Sequence, residues 1–137
     1  MTKEDLQKYC GDRCTFSKPF SKGDFSYATD NHILIRVPRI WVIEEQKVGI
    51  NVDSLEKYLE KHIVPRSLYC PIPDIPDLEY DYSKASGRFY RNKYLNWLKE
   101  LPECILSEVK GLDPAHFIFA GGDGVLMPLD PSFFKEV

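Results

Sequence analysis

Residues 25–37 read Phe25-Ser-Tyr-Ala-Thr-Asp-Asn-His-Ile-Leu-Ile-Arg-Val37, and this stretch decides the fold. Two runs rich in aromatic and β-branched residues flank Asp30-Asn31, a pair that tolerates turn geometry. The pattern predicts an antiparallel hairpin. After Pro38, the run from Ile40 to Ile43 and the run from Val48 to Ile50 predict two more short strands.

Three helices are predicted around this hairpin. Thr2 is a typical N-cap for a short helix over residues 3–10. Apolar residues at helical spacing predict a second helix over residues 52–62 and a third that ends before Pro102. The predicted buried stripe of the third helix consists of Tyr94, Trp97, Leu98 and Leu101.

The chain between the second and third helices has an unusual composition. Residues 67–83 contain three prolines and four acids but neither Lys nor Arg, which predicts an extended acidic loop. Further along, Cys104–Leu106 is a strand candidate, and residues 116–127 form a predicted second hairpin around the turn Gly121-Gly-Asp-Gly124.

A shift of 39 residues lays Ile50–Leu59 over Phe89–Leu98, with a strand end, a polar cap and an apolar helical set in both. Two amphipathic helices can also resemble each other by chance. We predict an α+β fold of two partly repeated strand-helix-hairpin units, with helices packed on an antiparallel sheet. One domain over residues 1–137 is expected at this length.

Composition limits the classes of function. Lys and Arg number 18 against 21 Asp and Glu, a net charge of -3, so any nucleic-acid contact must be a local patch. Apolar runs long enough to span a membrane and a signal peptide are both absent from the sequence, which predicts a cytoplasmic protein without a membrane partner. The four cysteines are interpreted as thiols, and neither a metal nor another cofactor is expected.

One local patch of cations stands out. Four cations fall within residues 84–93 without an acid, and Phe89, Tyr90 and Tyr94 lie among them. Such a patch can hold phosphates and stack bases, although an ordinary solvated junction has the same composition. The predicted nucleic-acid-binding residues are Lys84, Arg88, Arg91 and Lys93.

Three segments resemble motifs of the bacterial DNA-polymerase sliding clamp, the β subunit, in the order found in that family. They are Ala28-Thr-Asp-Asn-His-Ile-Leu34, Phe89-Tyr-Arg-Asn-Lys-Tyr-Leu-Asn-Trp-Leu98 and Gly124-Val-Leu-Met-Pro-Leu129. The first has Asn31 where the family has Gly and Ile33 where it has Arg. The chain equals about one of the three domains of a clamp subunit, so a ring would require a homo-oligomer.

The resemblance implies a DNA-clamp-like fold and a non-catalytic accessory role in DNA replication, of a phage or mobile-element type. Its implied partners are a linear peptide of a replication or repair protein, and DNA. The implied peptide groove would be formed by Thr29, Asn31, His32, Leu34, Val125, Met127 and Leu129.

Two alternatives belong to other classes of protein. One is a small enzyme whose site centres on His32, with Asp30 as the carboxylate that orients it. The other is a regulator of protein interactions whose acidic segment from Asp74 to Asp81 mimics a phosphate backbone.

Overall fold

The hairpin predicted around Asp30 is present in the computed structural model as β2 (Phe25–Thr29) and β3 (Ile33–Pro38). The structure describes residues 1–11, 17–45, 52–75, 81–109 and 111–129, and within these it has an α+β fold with mainly antiparallel strands. The chain is divided into two compact units. The first unit consists of Met1–Ile63 and Gly121–Val125, and the second consists of Val64–Ala120 and Leu126–Val137.

The first unit builds its sheet outward from this hairpin. The strand β1 (Phe20–Lys22) pairs antiparallel with β2, and β9 (Gly122–Leu126) lies on the other side of β3. Helices α1 (Lys3–Gln7) and α2 (Val52–Lys61) belong to the same unit. The core cluster of this unit consists of Phe20, Tyr27, Leu34, Leu59 and Val125.

The short helix α1 begins as predicted and ends early. Thr2 and Asp5 form a reciprocal capping box, in which each side chain accepts the other residue's backbone N–H. The predicted end near Cys10 is wrong, because the N–H groups of Tyr9 and Cys10 bond three residues back rather than four.

The predicted strand from Ile40 to Ile43 is also wrong. The Ile43 N–H donates to the Ile40 carbonyl at 3.0 Å, which closes a turn over these residues. Trp41 and Val42 at the tip of that turn are 80% and 71% exposed. The predicted strand from Val48 to Ile50 lies outside the described residues.

The second unit holds the remaining elements. Its strands are β4 (Tyr69–Pro71), β7 (Ile105–Ser107) and β8 (Ala115–Phe119), in the antiparallel order β4-β7-β8. The hairpin of β5 (Tyr82–Ala85) and β6 (Arg88–Arg91) forms a separate two-stranded sheet that leads directly into α3 (Asn92–Glu100). Buried His116 joins β8 to β4 through a 2.7 Å hydrogen bond between its Nδ1 and the Tyr69 hydroxyl.

Residues 67–83 were predicted to be an extended loop, and this is wrong in part. The stretch includes β4 and the start of β5. Pro71 is tolerated in β4 because that strand ends the described sheet, where a missing N–H breaks no ladder. Asp77 and Glu79 lie outside the described residues.

The predicted stripe of α3 is correct except for Trp97. Tyr94, Leu98 and Leu101 are buried, whereas Trp97 is half-buried and packs edge-on against Tyr94 at 5.3 Å. Leu95, which is fully buried, completes the apolar stripe.

The turn before β9 is shorter than the predicted four residues from Gly121 to Gly124. Within that stretch Gly121 alone has a positive φ, and β9 already begins at Gly122.

Candidate nucleic-acid interface

The β5–β6 hairpin has two chemically different faces. Tyr82 lies directly opposite Arg91 and Lys84 opposite Phe89. Side chains of opposed residues project to the same side and alternate along a strand, so these four share one face. We call the set of Tyr82, Lys84, Phe89 and Arg91 the outer face of the hairpin.

The opposite face of the hairpin is turned inward. Ala85 and Tyr90 on that face are 3% and 0% exposed. The Ser83 hydroxyl, also on that face, donates to Oδ1 of buried Asn92 at 2.6 Å. These contacts anchor the hairpin to α3 and leave the outer face toward solvent.

Exposure of the outer-face residues agrees with this orientation. Lys84 is exposed, Phe89 is 37% exposed and Tyr82 is half-buried. The Arg91 side chain is 42% exposed and forms a 2.8 Å ion pair with the more exposed carboxylate of Asp81. Exposed ion pairs of this kind contribute little to stability, so another anion can compete with Asp81 for the Arg91 guanidinium.

The outer face places aromatic rings and cations on crossed diagonals. The Tyr82 and Phe89 ring centroids are 5.9 Å apart, with their planes at 84°. Lys84 and Arg91 lie on the other diagonal of the same four positions. Each ring therefore has a cation across from it and another two residues along its own strand.

The local sequence explains why this hairpin forms. Ser86 and Gly87 both have positive φ values, 47° and 81°, which is the geometry of a two-residue hairpin turn. At the open end, the Asn92 N–H donates to the Asp81 carbonyl at 2.8 Å.

Sequence reasoning missed Tyr82 because it assigned residues 67–83 to a loop. The signal was the Ser-Gly pair between two short runs that each contain aromatic and cationic residues.

The four predicted cations do not share one face. Lys84 and Arg91 lie on the outer face, whereas Arg88 lies on the other and its Nε donates to the Gly111 carbonyl at 2.9 Å. Strand alternation is the reason, because Arg88 and Arg91 are an odd number of residues apart. Lys93 belongs to α3 and lies over the Trp97 ring, with 5.0 Å between Nζ and the centroid.

Part of the predicted peptide groove is brought together in the first unit. β9 lies beside β3, and Leu34 and Val125 share the core cluster. Both side chains are buried, as is Thr29, while Asn31 and His32 are exposed. These three buried residues support the sheet rather than present a surface.

The two remaining groove residues lie in the second unit. Met127 is 38% exposed. The Leu129 N–H donates to the Phe89 carbonyl at 2.8 Å, which attaches the chain after β9 to the backbone of β6.

Polar residues of the first resemblance motif build the turn. The Thr29 hydroxyl donates to the Ile33 carbonyl at 2.7 Å and accepts the Asn31 N–H. Asp30 Oδ1 accepts the N–H groups of His32 and Ile33 at 2.9 and 3.0 Å. Asn31 has a φ of 75°, which Asn tolerates better than most residues. The hydrogen bonds and the positive φ that this hairpin turn requires explain why Thr, Asp and Asn occur at these three positions.

The other candidate reactive side chains in the sequence are His32 and the cysteines. His32 lies exposed on the turn of the β2–β3 hairpin. Cys104 borders an open cavity of about 540 Å³ in the second unit, but burial raises the pKa of its thiol to about 12, so the thiol is protonated and weakly nucleophilic at neutral pH. Cys70 and Cys104 are free thiols, and Cys14 lies outside the described residues.

Acids of the predicted mimic segment pair with cations of this chain. Asp74 bonds Lys99, and that hydrogen bond lowers the pKa of the Asp74 carboxyl. Asp81 pairs with Arg91.

Among the described residues, the His, Cys, Asp and Glu side chains form no group of three that could hold a metal ion. Within the same residues, helices are too short and too polar to cross a membrane.

Comparison of the chain with protein-family models, curated proteins and solved structures gives no match.

Proposed function

We propose that this protein is a non-catalytic accessory protein that binds nucleic acid through the outer face of the β5–β6 hairpin. The observation that carries the proposal is the pairing of Lys84 with Phe89 and of Arg91 with Tyr82 across two strands. Cations contact phosphates, and exposed rings stack on bases without regard to sequence. A net charge of -3 argues against a generally basic surface, so the attraction must come from a local patch such as this one.

Two phosphate contacts set the expected strength of binding. With about 0.7 counterions released per contact on a single strand, the plot of log K against log salt should have a slope of about -1.4. The dissociation constant should be on the order of 10⁻⁴ to 10⁻⁵ M at physiological salt, which is typical of binding without sequence preference.

Fluorescence anisotropy with a labelled oligonucleotide of about 20 nucleotides tests the proposal, starting at about 50 mM salt. The double variant Lys84→Gln, Arg91→Gln should abolish both the binding and its salt dependence. Lys57→Gln is the control, because exposed Lys57 on α2 also loses a charge but lies in the other unit. Absence of binding at low salt, or equal binding by the double variant, would contradict the proposal.

A role in DNA replication and a clamp-like repeat rest on the three resemblance motifs. Supporting features are the α+β fold, the position of β9 beside β3, and the presence of both helices, α2 and α3, that the 39-residue shift aligns. We propose on this basis that exposed Asn31 and His32 contact a linear peptide, and that several copies of the chain assemble. Size-exclusion chromatography with light scattering tests the assembly, and a monomer would count against a ring.

A further inference from the structure

We infer that the outer face binds single-stranded nucleic acid, one unpaired base at a time, in preference to a duplex. This inference rests on the proposed function and adds the class of nucleic acid. The shared chemistry is a planar base between two phosphates, whether the strand is DNA or RNA.

The angle between the rings is the first argument. Because the Tyr82 and Phe89 planes stand at 84°, at most one of them can lie parallel to the hairpin surface. A flat base stacked on one ring meets the other ring with its edge. Only a base without a stacked neighbour exposes its flat surface in this way, since a duplex presents base edges and phosphates.

Cation placement is the second argument. Lys84 and Arg91 occupy diagonal positions, whose Cα atoms are about 7–8 Å apart in an antiparallel pair. The Lys84 and Arg91 side chains therefore lie on either side of the corner formed by the Tyr82 and Phe89 rings. A strand crossing that corner can place one phosphate at each cation while its base contacts a ring.

Asp81 supplies a contact that a phosphate must replace. Its carboxylate pairs with Arg91 at 2.8 Å, and the Asp81 side chain is 74% exposed. An incoming phosphate competes with this carboxylate for the guanidinium. Asp81→Asn should therefore strengthen binding by about two- to fivefold, the range expected for an exposed ion pair.

The test compares labelled dT20, rU20 and a 20-base-pair DNA duplex by fluorescence anisotropy at equal salt. Either single strand should bind at least about tenfold more tightly than the duplex, and the tighter of the two identifies DNA or RNA as the ligand. Phe89→Leu keeps an apolar side chain but loses the ring, and should weaken single-strand binding by about tenfold. Trp41→Leu, which removes an exposed ring from the first unit, should leave binding unchanged.

Different outcomes separate the two proposals. If all three probes fail to bind, the proposed function is wrong. If the duplex binds as tightly as the single strands, or Phe89→Leu binds them normally, nucleic-acid binding stands and the preference for an unpaired base is overturned. If Asp81→Asn does not tighten binding, Arg91 is not a phosphate contact. Circular dichroism spectra of each variant should match the parent protein, which confirms that the variant is folded.

Discussion

Arg36 and Asp123 form a two-pronged ion pair between the neighbouring strands β3 and β9, with both N–O distances at 2.9 Å. The two residues are 87 positions apart in the sequence, and their side chains are 11% and 16% exposed. The Arg36 guanidinium also lies 4.7 Å from the centre of the Phe25 ring. Both charges are thus largely removed from water and depend on each other for compensation.

Asp123→Ala should lower the free energy of unfolding by about 3 kcal/mol, because it leaves the Arg36 charge buried without its carboxylate. Urea unfolding followed by circular dichroism measures the change. The double variant Arg36→Met, Asp123→Leu removes both charges and should lose clearly less stability. An equal loss in the two variants would show that packing, and not charge compensation, dominates at this site.

Trp97→Ala should cost about 2–3 kcal/mol, less than for a fully buried Trp, because the Trp97 side chain is partly exposed. Leu98→Ala is the matched comparison, since fully buried Leu98 lies next to it on α3 and should cost about 3–4 kcal/mol. Thermal or urea unfolding gives both values. A larger loss for Trp97 than for Leu98 would contradict the burial pattern of this helix.

Thr29→Val should destabilise the protein by about 1–2 kcal/mol, because it removes the hydroxyl that bonds both Asn31 and Ile33 while preserving the side-chain shape. Thr29→Ser keeps the hydroxyl and is the control. Chemical denaturation of both variants measures the difference. Equal stability of the two would show that the methyl group and not the hydroxyl matters.

Tyr90→Phe should leave stability at pH 7 unchanged or slightly increased. The Tyr90 hydroxyl is buried and lacks a hydrogen-bond partner among the described residues, so its removal relieves a desolvated polar group. Desolvation also raises the pKa of Tyr90 far above its ordinary 10.0. Below pH 10 the Tyr90 hydroxyl keeps its proton in both the folded and the unfolded state. The free energy of unfolding is therefore not reduced by ionisation of Tyr90 in that range.

Above pH 10 only the unfolded state releases the Tyr90 hydroxyl proton, and the free energy of unfolding falls as the pH rises. The parent protein should therefore lose stability above pH 10, and Tyr90→Phe should lose less. Tyr27 contributes to the same loss between pH 10 and about 12, since desolvation raises its pKa to about 12, and Cys104 and Tyr58 add to it because burial raises their pKa values as well. Urea unfolding at pH 7 and pH 11 measures the effect, and an identical alkaline loss in the variant would contradict it.

The sequence alone determined those elements whose signals are local. Residues that favour turns at Asp30-Asn31, the Thr2 cap and the apolar spacing of α2 and α3 depend on neighbours within a few positions, and all of these elements are present. The same local signals predicted the cation cluster around Arg88, because composition is visible without a fold.

Tertiary structure decided which of those side chains act together. The pairing of Tyr82 with Arg91 depends on strand register, and a slip of one strand by one residue would place the two side chains on opposite faces. The edge position of β4, which permits Pro71, and the partnership of Arg36 with Asp123 depend on segments far apart in the chain. Local propensity carries no information about such distant partners, because their contacts form only when the sheets assemble.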